Sequence, residues 1–271
     1  MKVDAIVLAG ARNDGPLKTR SAAEYEALIA VNGRPLVDYV VQALLDCGQI
    51  DRIIIVGPKS LQKLYRDPKI RVKLHRESMV ENVKVGLTEV SPEAKVLLVT
   101  ADIPLLTGEA VTDFLHRCQA HEAAIYYPIV RKESNEAAYP NVERTYLKLK
   151  DGVFTGGNLA LLEPKVISQC YQLLERVVAL RKQPVKLVRM LGLSFIIRLA
   201  FNRLTIAEIE KRAERILGFT GVAIESPFPQ IGVDVDKPSD LDLVTRILAT
   251  EGNQQGEVAE SAGCEAKIQE A

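Results

Sequence analysis

Carboxylates stand at the ends of two apolar runs that lie far apart in this chain. One run ends Val99-Thr100-Ala101-Asp102-Ile103-Pro104, and the other reads Gly232-Val233-Asp234-Val235-Asp236-Lys237-Pro238-Ser239-Asp240-Leu241. Asp234 and Asp236 are two apart in a strand-like stretch, so their side chains share one face. They repel there unless a cation or a base lies between them. Carboxylates that converge at strand ends form a hard-oxygen site suited to Mg²⁺ and to phosphates carried by it. Near the N-terminus, Leu8-Ala9-Gly10-Ala11-Arg12-Asn13-Asp14-Gly15 runs from an apolar strand into a glycine-containing turn. Such a turn exposes backbone N–H groups to phosphate oxygens. Arg12, Lys18 and Arg20 are the basic residues able to neutralise charge on a transferring phosphate. This loop is neither a P-loop nor a Gly-x-Gly-x-x-Gly fingerprint.

Two further stretches offer binding groups. Gly156-Gly157-Asn158 would let a substrate approach the backbone closely, and Asn158 carries both a donor and an acceptor. Glu77 to Asn82 enters a helix after a strand, where a side chain such as Asn82 could read a base edge or a ribose. Each residue also has a plainer use: Asp102 as a turn or cap residue, Asp240 as a helix cap, Gly156-Gly157 as a tight bend. Together the strand-end carboxylates and the N-terminal turn point to transfer of a nucleotide.

The surrounding pattern must position these groups. Val3 to Leu8 is almost continuously apolar, as expected of a parallel strand buried on both faces. Ala11 to Ala23 reads as a loop, and Pro35 opens a helix over Leu36 to Leu45. Strands follow at Arg52 to Val56 and Val72 to Leu74, then a helix over Val80 to Leu87, a strand over Val96 to Thr100 and a helix from about Gly108 to Ala120. This alternation predicts βαβ units and a parallel sheet. After Ala123 the rhythm changes. Ala124 to Val130 is a strand, Arg131 to Pro140 a polar stretch, Arg144 to Lys150 alternates, and Val153 to Leu162 is strand-like after an Asp151-Gly152 turn. These pieces read as a second, antiparallel lobe for a second substrate. Residues 164 to 217 read as mostly helical. Thr205 and Glu208 have capping-box spacing, and Gly218 is placed to stop that helix. Val222 to Glu225 and Ile231 to Val235 read as strands, and Asp240 to Leu248 as the last helix.

Lys plus Arg and Asp plus Glu both number 35, so no bulk charge favours nucleic acid. Cys47, Cys118, Cys170 and Cys264 form no Cys-x-x-Cys pair, and the histidines give no zinc spacing. The first three cysteines sit in apolar helical patterns and are expected to be buried and reduced. No signal-peptide pattern opens the chain, so a cytoplasmic setting is expected. Residues 181 to 203 hold six basic and no acidic residues among large apolar ones. That stretch is expected to pack as a core or dimer helix, with contact to an anionic membrane surface as the alternative. Residues 251 to 271 contain five Glu, one Lys and no aromatic residue, as in a disordered acidic tail.

In this order the pieces resemble the MobA-like NTP transferase domain family, of the nucleotide-diphospho-sugar transferase (GT-A-like) fold. Leu8-Ala9-Gly10, Thr100-Ala101-Asp102-Ile103-Pro104-Leu105, Asn32-Gly33-Arg34-Pro35-Leu36 and Asp236-Lys237-Pro238-Ser239-Asp240-Leu241 carry the resemblance, which covers about residues 3 to 247. It implies a three-layer α/β/α fold with a mixed, mostly parallel central sheet. It implies one domain over 1–250 with a helical insertion near 164–217. It further implies nucleotide phosphates over Ala9 to Arg12; with the loop and helix-entry readings above, the expected NTP contacts are Leu8, Ala9, Gly10, Ala11, Arg12 and Asn82, with Arg12 and Lys18 expected in catalytic roles. Mg²⁺ would lie at Asp102, Asp236 and Asp234, and a small-molecule acceptor near Gly157 and Asn158. The reaction would be attack of an acceptor oxyanion on the α-phosphorus with loss of pyrophosphate. A sugar-nucleotide glycosyltransferase and a silent nucleotide-binding protein are the alternatives. Ala101-Asp102-Ile103 lacks the close Asp-x-Asp of the former. One departure supports the latter: Glu26 stands where relatives place a phosphate-binding lysine.

Overall fold

The computed structural model describes residues 2–140, 142, 144–167 and 192–250. Strand β1 (Val3–Leu8) lies inside a nine-stranded sheet, third from one edge. It pairs in parallel with β4 (Ile50–Gly57) on one side and with β6 (Val96–Thr100) on the other. Beyond β4 lies β5 (Ile70–Leu74), also parallel. A small separate ribbon, β2 (Ala30–Val31) with β3 (Arg34–Pro35), precedes the first helix.

The near-continuous apolar run of β1 is explained by burial on both faces. Ala5 and Val7 face a core shared with helices α1 (Leu36–Asp46) and α3 (Gly108–Cys118). Ile6 faces a second core shared with helix α2 (Met79–Leu87) through Val83. The chain therefore builds a three-layer α/β/α stack on a mixed, mostly parallel sheet. From β1 it first winds outward through β4 and β5, then returns past β1 to β6. The reversal opens a crevice at the carboxyl ends of β1 and β6, where open α/β sheets bind ligands.

Strands β7 (Ile125–Arg131), β8 (Leu147–Leu149), β9 (Gly152–Gly156) and β10 (Leu159–Leu162) extend this same sheet and do not form a separate lobe. β10 bridges β6 and β7 antiparallel to both. β9 and β10 follow one edge of β7, but Gly156 pairs Ile129 while Leu161 pairs Tyr126. Five residues thus advance against three, and the excess falls at Gly157-Asn158 as a bulge that re-aims the chain.

The polar stretch after β7 contains a helix that alternation alone does not announce, α4 (Lys132–Ala138), anchored by buried Asn135 donating to Tyr146 Oη at 2.9 Å. Helices α5 (Leu193–Ala200) and α6 (Ile206–Leu217) follow. α6 starts in a full Thr205–Glu208 capping box and stops at left-handed Gly218 (φ 80°). Strand β11 (Gly221–Glu225) joins β7 in parallel. Ile231 to Val235 is not a ladder strand: a 3₁₀ turn over Pro229–Gly232 leads into an extended strip. The strip makes single backbone bonds, Asn158 N to Ile231 O at 3.0 Å and Val235 N to Asp102 O at 2.9 Å. The last helix, α7, covers 238–250.

Cys47 and Cys118 are buried free thiols, and burial pushes the Cys118 thiol up to about 12. Cys170, Cys264, residues 181–191 and the acidic stretch 251–271 lie outside the described residues. Of the basic 181–203 stretch, the part that is described shows Ile197 and Phe201 exposed on and just after α5. Among the described residues no helix is long and apolar enough to cross a membrane.

Candidate nucleotide-binding site

The Leu8–Arg12 turn leaves β1 at the reversal point. The Ala9 amide donates to Val56 O, and the next amide engaged in a backbone bond is that of Asn13, to Glu24 O; the Ala11 carbonyl accepts from the Glu26 amide. Among the described residues, the amides of Gly10, Ala11 and Arg12 have no backbone acceptor. Gly10, Ala11, Arg12 and Asp14 form one wall of a cleft of about 830 Å³, and His75, Arg76, Glu77 and Glu81 form the other. The second wall is the end of β5 and the start of α2, whose Ser78–Glu81 capping box fixes its entry.

Gly10 is required by packing. A Cβ there would come within 2.7 Å of His75 Cβ and 3.1 Å of Asn82 Nδ2. Asn82 is buried beneath the cleft, with Oδ1 accepting from the Arg76 amide at 2.5 Å, so that side-chain oxygen is engaged in holding the second wall. Asn13 holds the first. It is buried and donates from Nδ2 to Ser21 O (3.0 Å) and Ala23 O (2.9 Å). Arg12 lies over the Tyr25 ring and donates to Glu24 at 3.2 Å, and Tyr25 meets His75 edge-on. Lys18 is exposed on the 3₁₀ turn Pro16–Thr19 and is not among the residues lining the cleft, and Arg20 pairs with Asp242 on α7.

The acidic residues converge because the two motifs are joined backbone to backbone, Val235 N donating to Asp102 O between Asp234 and Asp236. Asp102 keeps part of its surface open, yet its Oδ1 is sealed without a hydrogen-bond partner. Burial raises its carboxyl to about 6, with Asp234 and Asp236 adding to the rise and a hydrogen bond from Thr100 opposing it. Asp236 is the most open of the three. Partial loss of water, then neighbouring Asp234, holds its carboxyl above the ordinary range. Asp234 has the base that its spacing from Asp236 calls for. Arg144, with a side chain only 8% exposed, pairs with its carboxylate and donates to its carbonyl at 2.9 Å. Glu26 faces the same centre, its carboxyl raised to about 7 by burial first and then by Asp102, Asp236 and Asp14.

Among the described residues no three His, Cys, Asp or Glu side chains form a group that could hold a metal ion. The donor set instead fits Mg²⁺ shared with a substrate, which takes one or two carboxylates and completes its shell with water and phosphate. Asp102, whose Oδ1 has no hydrogen-bond partner, and open Asp236 are the residues that would supply that pair.

Gly157 and Asn158 sit beside Asp102, but their backbone is used by the fold. Thr100 N donates to Asn158 O at 3.1 Å. A Cβ on Gly157 would meet Ile231 Cγ2 at 2.5 Å and Pro128 Cγ at 2.8 Å. Its missing side chain makes room for packing, which is a different reason from substrate approach. Sequence reasoning did not find His75, Tyr25, Asn13 or Arg144. His75 follows directly on the end of β5, so the strand-end rule that found Asp102 could have found it.

Fold and cleft together define an α/β protein of the nucleotidyltransferase type, with a glycine-containing turn after β1 and an acidic centre after β6. The chain belongs to the MobA-like NTP transferase domain family, whose model matches residues 5–194. A hypothetical transferase from Thermus thermophilus superposes with a TM-score of 0.77 at 39% identity, covering 89% of this chain and all of that one. A CMP:2-keto-3-deoxy-manno-octonic acid synthetase complexed with CTP superposes with a TM-score of 0.60 at 14% identity, over 93% of this chain and 100% of that one, a likeness of fold. A probable molybdenum cofactor guanylyltransferase of Pyrococcus horikoshii is 30% identical over 115 residues, 41% of this chain and 54% of that protein. The chain spans about half the length of the curated guanylyltransferases it matches.

Proposed function

We propose that this protein is a Mg²⁺-dependent nucleotidyltransferase. It would move a nucleoside monophosphate from an NTP to a small acceptor bearing a phosphate or similar oxyanion. The observation that carries this reading is the Gly10–Arg12 turn. Its three amides have no backbone acceptor among the described residues, and its residues line a cleft of about 830 Å³. The amides receive phosphate oxygens, and the wall from His75 to Glu81 receives the nucleoside. The acceptor oxygen forms its bond to the α-phosphorus as the bond to the pyrophosphate oxygen breaks. Asp102 and Asp236 would hold Mg²⁺, which when bound neutralises charge on the phosphates. Arg12 stands at the phosphate side of the cleft. Catalysis of this kind is positioning plus charge neutralisation, because the transferring group needs no covalent partner from the protein.

A nucleotide-binding protein without turnover is the second reading. Glu26 favours it, since a carboxylate facing the acidic centre repels a triphosphate. A thermal-shift panel of the four NTPs, with and without Mg²⁺, separates the outcomes. A ligand at a hundredfold excess over its Kd stabilises by about 2.7 kcal/mol, roughly 5–10 °C for a chain of this size. We expect a Mg²⁺-dependent rise with one NTP that Asp102→Ala abolishes, together with pyrophosphate release once an acceptor is supplied. No shift with any NTP would overturn the transferase reading. A shift with no pyrophosphate release across a panel of phosphorylated acceptors would favour the silent binder.

A further inference from the structure

Helices α5 and α6 expose a face that the nucleotide cleft does not use. Phe195, Ile196 and Leu199 of α5 are half-buried, whereas Ile197 is 48% exposed and Phe201, at the helix end, 69%. At 3.6 residues per turn, Ser194, Ile197, Arg198 and Phe201 fall within one arc of about 100°, opposite the half-buried trio. Ser194 and Arg198 also line a cleft of about 400 Å³, to which α6 contributes Glu208, Lys211, Arg212 and Arg215. Four cations there meet one carboxylate, and Arg198 pairs with it. Arg203 adds a guanidinium over the Phe201 ring, 6.0 Å from its centroid. The other acids of α6 are turned to the fold. Glu210 accepts from the Ala223 amide at 2.8 Å, and Glu214 accepts from Thr220 Oγ1 at 3.0 Å. The junction of the two helices is tied to the sheet. The Lys150 amide donates to Leu204 O at 2.9 Å, and the Ile206 amide to Asp151 Oδ2 at 2.7 Å.

An apolar stripe thus runs along the rim of a cationic cleft. A nucleic acid would meet the cations and leave Ile197 in water. A second copy seated on a two-fold axis would bring the same patch against itself and set cations against cations. An anionic bilayer satisfies both parts, because its acyl boundary covers apolar side chains and its headgroups carry phosphate. With eight residues, α5 is about 12 Å long, enough to lie in the headgroup layer and too short to span. We propose that the α5–α6 face docks this protein on an anionic phospholipid surface. Ile197 and Phe201 are the anchors, and Arg198, Arg203, Lys211 and Arg215 meet headgroup phosphates. Two anchors bury little area, so docking is reversible and weakens with salt. This inference goes beyond nucleotidyl transfer and does not rest on it.

The test sediments full-length protein, without nucleotide, with vesicles of phosphatidylcholine alone and of phosphatidylcholine mixed equally with phosphatidylglycerol. The mixed vesicles should bind it at least about tenfold more tightly. Ile197→Ser with Phe201→Ser should weaken binding to them by at least about tenfold while circular dichroism stays that of the wild type. Lys211→Glu with Arg215→Glu should remove the preference for anionic lipid. The chain contains no Trp, so Phe201→Trp supplies a single indole, whose emission should shift to the blue on the mixed vesicles. A Trp at Leu64, exposed on another part of the surface, should not shift. No binding to the mixed vesicles, equal binding to both kinds, or an unshifted Trp in the Phe201→Trp variant would each overturn the docking face. So would a wild-type dimer that the double serine variant turns into a monomer, since the face would then join two copies. A protein that docks here and binds no NTP would sink nucleotide transfer and leave the docking face standing.

Discussion

Burial lifts the carboxyl of Glu26 to about 7 and that of Asp102 to about 6, from ordinary values of 4.5 and 3.8. Raised acids bind protons more tightly in the folded protein than in the unfolded chain. The stabilisation they lend is therefore fully present below about pH 4 and is lost as pH rises through 6 and 7. Glu26 is half-buried and partly screened by water, so its share is about 1–2 kcal/mol, below what the full shift would give. In EDTA, urea unfolding should show Glu26→Gln more stable than the wild type at pH 8 by about that amount. Its stability should also fall less steeply between pH 5 and pH 8. A glutamine variant that kept the wild-type slope would show that the Glu26 charge costs the fold nothing. Saturating Mg²⁺ should flatten the wild-type slope as well, because the ion replaces the proton as the compensating charge.

The loop from Gly10 to Tyr25 has little regular structure, yet it must present three amides at fixed positions. Asn13 does most of that holding, with two bonds from one buried Nδ2 to carbonyls eight and ten residues on. Asn13→Ala leaves those carbonyls without a donor, which costs about 1–3 kcal/mol. The loop would lose its preorganisation, and NTP binding measured by calorimetry should weaken by about tenfold. Unchanged affinity in a folded variant would mean that the Arg12–Tyr25–His75 stack holds the loop alone. What could be read from sequence divides along the same lines. β1, the Thr205–Glu208 box and the Gly218 stop were legible because each is decided within a few residues by burial or capping. That Asp102 and the Asp234–Asp236 pair would meet could be expected only because both close apolar runs, where open α/β sheets gather polar groups; Asp102 alone reads equally well as a turn or cap residue. α4 was not, since a short helix fixed by a buried Asn135–Tyr146 bond shows no apolar period. Ile231 to Val235 has the alternation of a strand, yet its partners offer only single backbone bonds, and no local signal distinguishes those from a ladder. Pairing of Arg144 with Asp234 spans ninety residues and leaves no trace in spacing.

That pairing also ties the molecule together. The strip from Val233 to Asp236 closes the acidic centre, and it is held by Val235 to Asp102, by the small core of Val233 and Val235 with Leu17, Leu36 and Leu241, by the Asp236 amide donating to Asp240 Oδ2 at 3.2 Å, and by Arg144. Arg144 reaches it from the segment that leads into β8. Removing it leaves Asp234 between Asp102 and Asp236 with no opposing charge. Loss of one partner from a fully buried pair costs about 3–5 kcal/mol. Asp234 keeps some solvent, its side chain being 22% exposed, so about 2–4 kcal/mol is expected for Arg144→Met. For a chain of this size that is a fall of roughly 5–12 °C in Tm. Arg144→Met with Asp234→Asn removes the stranded charge and should recover more than half of the loss. A double variant as unstable as the single one would mean that Arg144 contributes packing and not charge. Mg²⁺ should stabilise Arg144→Met by more degrees than it does the wild type, because the ion then offsets three carboxylates where the guanidinium formerly covered one. Equal Mg²⁺ shifts in the two proteins would place Asp234 outside the field of the bound ion, and would leave Asp102, Asp236 and Glu26 as the residues that feel it.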